Sequence, residues 1–178
     1  MSMQPQAEVL TSIASEHPLQ QLGHLQRCER GQSWVWDGVQ FEVLHPSAAD
    51  FERKLKPNAL SCVLRVTAVD TSALLAGDIE AVQEQELLQS GQALQADWLL
   101  VPHHGSATSS TPAFLAAVAP RLAFAQSGYR NRHGHPALIV QTQVRYGGKS
   151  VDLSARMSSL AGRIDGLEQV VVVGASEV

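Results

Sequence analysis

Three observations predict a mixed α/β fold. The early β-prone runs pair about an Asp-Gly turn, later β-prone runs alternate with helical ones, and the chemistry-bearing residues stand directly after the strands. Strands joined first by hairpins and then through helices imply a mixed sheet with helices packed on it. With 178 residues, 44% hydrophobic and 17% charged, the chain has the length of one domain with a real core.

Residues 1–27 are Gln-rich and weakly specified, with a helix expected over "AEVLTSIASEH" and no clear partner strand. "SWVWDGVQFEVLHP" then reads as a hairpin about Asp37-Gly38, the dipeptide of a tight turn. After a polar loop, "SAADFERKLKPNAL", the segment "SCVLRVTAVDTSALLAGD" gives two strands with a turn near Asp70-Thr71, the second running to Asp78. In "IEAVQEQELLQSG", Ile79, Val82, Leu87 and Leu88 recur at helical spacing, with Gly91 as a stop. The alternation continues with strand "DWLLVP", helix "TPAFLAAVAP" with Pro112 suited to its first turn, strand "RLAFAQS", and an amphipathic helix from about Pro136 to Val144. The tail after about residue 147 offers a helix and a strand at most, and no repeats occur.

A net charge of −4 argues against a broad basic surface for nucleic acid, so any such site must be local. Cys28 and Cys62 lie far apart without CxxC spacing, which predicts neither a disulfide framework nor a thiolate zinc site. The longest apolar runs, "DWLLVP" and "QVVVVGA", fall far short of the ~20 residues that cross a bilayer. The chain is expected to be soluble.

The chemistry concentrates after strands, where open α/β sheets place ligand sites. Asp78 follows "LLAG", His103 and His104 follow "LLVP", and His133 and His135 follow "RLAFAQS". Carboxylate and imidazole form the natural ligand set for zinc or manganese, and ligands from several strand ends can converge on one ion. Each has a plainer reading. Asp78 can cap a helix that starts at Ile79, and the His pair can be surface loop residues. His17, His24 and His45 stand singly and read as exposed or structural, and Trp34, Trp36 and Trp98 read as strand packing. Co-occurrence at successive strand ends favours a site, with the hydroxyls of Ser106, Thr108, Ser109 and Ser110 nearby for a phosphate.

The series "NALSCVLRV", "LLAGDIE", "ADWLLVPHHGSATSS" and "SGYRNRHGHP", preceded by "WVWDGVQFEVLHP", resembles the later part of the metallo-β-lactamase-like domain of ComEC-type DNA-uptake competence proteins, from about Cys28 to Val144. The resemblance implies an αββα sandwich and a metal-dependent phosphodiesterase that degrades the DNA strand not taken into the cell. It implies that Asp78 bridges metals and that the His pair supplies a further ligand, with His104 preferred and His103 as the alternative. It places His135 and Asn131 near the scissile phosphate, and Asn58 and Ser61 in an NxxS substrate loop, while Arg130 and Arg132 would contact DNA phosphates.

The sequence also departs from that pattern. The upstream HxHxDH- or DxDH-type ligand motif is absent, as is the membrane channel part. The expectation is a partial sandwich, residues 28–178, from a membrane-associated protein whose soluble domain stands on the extracytoplasmic side. Such a piece would bind zinc or manganese weakly and be nearly inactive alone. Its partners would be single-stranded DNA, the channel part, and another copy through the exposed sheet. Two rivals remain: a non-catalytic half-domain that self-associates, and a related hydrolase acting on a small ester or phosphodiester.

Overall fold

The computed structural model describes residues 9–13, 17, 18, 21, 25–127, 132–137, 140, 145, 146, 149, 150 and 170–173. Strands β1 (Val9–Thr11) and β2 (Leu25–Arg27) pair in parallel as a small separate sheet. The main sheet has seven strands: β3 (Ser33–Trp36), β4 (Val39–His45), β5 (Val63–Thr67), β6 (Ser72–Leu75), β7 (Trp98–Leu100), β8 (Leu122–Gln126) and β11 (Val170–Val173). The short pair β9 (Arg145–Tyr146) and β10 (Lys149–Ser150) forms a third sheet.

From β3 to β6 the neighbours are antiparallel, and from β6 through β7 and β8 to β11 they are parallel. The switch follows from the connections. Asp37 and Gly38 both take positive φ, at 49° and 79°, the twist that a two-residue hairpin needs. After β6 the chain instead returns through α2 (Ala81–Gln89), and after β7 through α3 (Pro112–Val118), and such crossovers yield parallel neighbours. A short helix α1 (Ala48–Phe51) and a 3-10 turn (Pro57–Leu60) lie between β4 and β5.

The two faces of the sheet differ sharply. Val63, Leu74, Leu99, Ala123 and Ala125 point to one face and are buried in a single core with Leu87 of α2, Phe114, Leu115 and Val118 of α3, and Val140. Each large apolar side chain buried there contributes about 1.5–3 kcal/mol. On the other face, pairing aligns Trp34, Phe41, Val66, Ala73, Trp98 and Leu122 in one row, with Leu64, Leu75, Leu100 and Phe124 beside it. None of these ten is fully buried. Trp36 is 69% exposed and Trp98 44%. Trp34 stacks on Phe41 and Trp98 on Phe124, at 5.1 and 5.3 Å between ring centroids.

Several expectations are corrected. Val9–Thr11 is strand, because the β-branched Val9 and Thr11 find a partner in Leu25–Arg27 that sequence spacing does not reveal. Cys28 and Cys62 form a disulfide, their Cα atoms 6.1 Å apart, since the β4–β5 pairing draws together segments 34 residues apart. The polar loop 47–60 contains α1 and the 3-10 turn, with Ser47 and Asp50 forming a capping box. Trp34 and Trp98 stack within the sheet, as packing predicts, but both stay partly open to solvent and Trp36 is largely exposed. Strand β6 ends at Leu75, so Asp78 lies in a turn, and Val82 is exposed although its spacing suits a core. The helix expected over 136–144 lies mostly outside the described residues.

Among the described residues, no helix is long and apolar enough to cross a membrane. The mixed α/β class is as predicted.

Candidate functional site at the strand ends

The loops after β6 and β7 are stitched together by backbone. The amide of His103 donates to Gly77 O at 2.9 Å, and the amide of Ala81 donates to Thr108 O at 2.9 Å. This brings Asp78 beside the histidine pair. His103, His104 and Gly105 take three successive left-handed conformations, with φ of 50°, 55° and 82°. Non-glycine residues hold that region only where the surroundings enforce it, and such strain gathers at functional sites.

His104 Nε2 lies 3.5 Å from Asp78 Oδ1. Two ligand atoms bound tetrahedrally at about 2.1 Å to one ion stand about 3.4 Å apart. The spacing and the donor chemistry of this pair therefore fit a shared divalent ion. Asp78 does not cap the following helix. That helix begins at Ala81, and Glu80 with Gln83 forms its capping box.

His103 is held on both sides. Its Nδ1 lies 3.4 Å from Glu80 Oε1 and 3.4 Å from Thr108 Oγ1, and its Nε2 lies 3.3 Å from Asn58 Nδ2. The rings of His103 and His104 are 6.5 Å apart, and those of His103 and His135 are 6.1 Å apart. His133 stacks on His135 at 5.6 Å. Burial, then the neighbouring charges of His103, His133 and His104, hold the His135 imidazole below the ordinary histidine range. It thus favours the neutral form.

The remaining predicted residues divide. Asn58 joins the cluster through His103. Ser61 packs under the Gly77 turn, where a Cβ on Gly77 would lie 3.0 Å from Ser61 Cβ. Arg132 is exposed, and its Nε donates to His133 Nε2 at 3.2 Å. Asn131 and Arg130 lie outside the described residues. Ser106, Ser109 and Ser110 are buried. The Ser109 hydroxyl donates to Pro102 O and Ser106 O, and Ser106 Oγ meets Thr108 Oγ1 at 3.1 Å. These contacts shape the loop, and among the four hydroxyl residues Thr108 alone is exposed.

Two features escaped the sequence. Glu84 of α2 is fully buried, and its carboxylate accepts hydrogen bonds from the amides of Ser110 and Thr111. It thereby closes the His-pair loop and caps α3 together with the Thr111 hydroxyl. No signal marks it in a helix reading "AVQEQELLQ", where Gln83, Glu84 and Glu86 look equally solvated. The second feature is a cluster of His45, Asp50 and Glu86, whose ligand-type atoms lie within 4.8 Å of one another. Arg53 pairs with both Asp50 and Glu86, at 2.9 and 3.2 Å, and His45 Nε2 lies 2.9 Å from Ala59 O. The guanidinium already satisfies these carboxylates, so the cluster is an ion-pair network.

The chain is thus a mixed α/β protein with a histidine, carboxylate and amide cluster where its parallel strands end. No family model matches the sequence. It is 44% identical over 137 residues, 74% of the chain, to Competence protein ComA of Neisseria gonorrhoeae, covering 19% of that protein. It is 35% identical over 112 residues to ComE operon protein 3 of Bacillus subtilis, 63% of the chain and 14% of the relative. It is also 35% identical over 121 residues to Recombination protein 2 of Haemophilus influenzae, 66% of the chain and 14% of the relative. The chain therefore spans less than a fifth of the length of these relatives.

Proposed function

We propose that this chain is the later half of a metal-dependent phosphodiesterase domain in a protein of DNA uptake during natural transformation, degrading the strand that is not imported. The observation that carries the reading is the 3.5 Å approach of Asp78 Oδ1 to His104 Nε2, with His103 and His135 beside it. The competence-related names of the relatives supply the biological setting.

In this reading Asp78 and His104 hold zinc or manganese, with His103 alongside. When bound, such ions supply an activated water and neutralise charge developing at phosphorus. His135, favouring its neutral form, orients a phosphate oxygen through its ring N–H, and only its protonated form could hand a proton to the leaving oxygen. Asn131 and Asn58 contact the substrate, and Arg130 and Arg132 attract the backbone without reading sequence. The Cys28–Cys62 disulfide supports placing the domain on the extracytoplasmic side of the membrane.

The row from Trp34 to Leu122, none of it fully buried, supports an αββα sandwich whose second sheet and upstream ligands come from a preceding part of the longer protein. It also favours a second reading, a non-catalytic half-domain that pairs with its own copy across this face.

A protein extended upstream to include a DxDH-type segment should degrade single-stranded DNA with manganese or zinc, and Asp78→Ala should abolish this while keeping the fold. An extended protein inactive with every metal, or an Asp78→Ala variant as active as its parent, overturns the nuclease reading.

A further inference from the structure

We propose that Glu80, together with Thr108, is a positioning residue that locks the His103 imidazole in its Nδ1–H tautomer and leaves the Nε2 lone pair facing the Asn58 side of the cluster. The inference deepens the metal-site reading above and rests on it for its functional meaning, although the tautomer stands on geometry alone.

One assignment satisfies every contact of the cluster: Ser106 Oγ donates to Thr108 Oγ1 at 3.1 Å, which leaves the Thr108 proton for Glu80. The Thr108 hydroxyl donates its single proton to Glu80 Oε1 at 3.1 Å. Its oxygen can then only accept from His103 Nδ1, 3.4 Å away. Glu80 Oε1, 3.4 Å from the same nitrogen, is likewise an acceptor when ionised. Both neighbours of Nδ1 therefore require a proton on that atom. On the opposite edge of the ring, Asn58 Nδ2 is a donor, 3.3 Å from Nε2. A neutral imidazole carries one proton, so Nε2 accepts. Three elements thus agree on one tautomer: the β6–α2 turn, the β7–α3 loop and the 3-10 turn before β5.

A histidine that binds a metal through one nitrogen needs its other N–H held by an acceptor, which fixes the ring and raises its basicity. Glu80 and Thr108 supply that acceptor pair from behind, and Asn58 occupies the ligand side as a group an ion can displace. His103, the alternative in the sequence reading, thus has its ring fixed for such a role, whereas His104 is the histidine paired with Asp78.

The test is nitrogen NMR of the whole chain above the imidazole titration range, with the His103 signals assigned by their loss in His103→Asn. The wild type should show the Nδ1–H form of His103. Thr108→Val leaves the cap of α2 untouched, and it should mix the tautomers further when combined with Glu80→Ala. Glu80→Gln keeps an amide oxygen as acceptor and should largely restore the single form. Manganese titration of the upstream-extended protein, followed by calorimetry, should show affinity falling about 10–100-fold in Glu80→Ala combined with Thr108→Val. A wild-type His103 protonated at Nε2, or a tautomer unchanged in the double variant, overturns the proposal. An upstream-extended protein that binds no manganese, while the chain keeps the predicted tautomer and the variants alter it as stated, would count against the metal-site reading and leave the positioning role standing.

Discussion

Gly105 and Pro136 meet so closely that a Cβ on Gly105 would lie 2.5 Å from Pro136 Cβ and 2.9 Å from Pro136 Cα. The amide of Ala137 also donates to Gly105 O at 2.8 Å. This contact is what brings the His135 loop against the histidine pair. At φ +82° Gly105 also holds a backbone conformation that L side chains rarely adopt. Gly105→Ala should therefore cost about 1–3 kcal/mol from strain and overpacking. It should also push His135 away from His103. Urea unfolding measures the first effect, and loss of ring-to-ring NMR contacts between the two histidines measures the second.

Glu84 satisfies two amides from inside the core. Glu84→Ala leaves the N–H groups of Ser110 and Thr111 without their acceptor and opens a cavity, so a loss of about 2–5 kcal/mol in unfolding free energy is expected. Glu84→Gln keeps one carbonyl acceptor and should cost less than half as much. If both variants unfold at the wild-type urea midpoint, Glu84 does not hold the loop.

The exposed tryptophan row makes a prediction about association. Trp34→Ser combined with Trp98→Ser removes two large apolar side chains from a face that the described helices leave uncovered. Sedimentation should show weaker self-association than in the wild type, together with reduced binding of an apolar dye. A wild-type chain that remains monomeric and binds no dye would mean that this face is covered in solution.

Asp97 sets a pH dependence. The Ser72 amide holds its carboxyl below the ordinary aspartate range against some desolvation, with the Ser72 hydroxyl and the charge of Arg121 helping. A carboxylate with a depressed folded-state value gives stability that is fully present above its unfolded value, near pH 3.9, and is lost as pH falls through the folded value. Asp97→Asn should therefore flatten the loss of stability on the acid side of pH 4. It should also weaken the link between β6 and the start of β7. An acid unfolding curve with the same slope in both proteins would show that Asp97 is not coupled to folding.

The sequence by itself determined the mixed α/β class and most of its order. Local chemistry suffices for a turn such as Asp37-Gly38, for Pro112 at the start of α3, and for the alternation of β-prone and helical runs. It also singled out Asp78, His103, His104 and His135, because residues directly after strands must lie at the same end of a parallel sheet. What it could not supply was pairing across distance. The disulfide from Cys28 to Cys62, the strand at Val9–Thr11, the buried role of Glu84 and the triple hold on His103 each join segments that have no local reason to meet. Only tertiary structure decides which polar side chain is desolvated and what it must then bond to, since burial depends on everything packed around a residue and sequence spacing reports only its nearest neighbours.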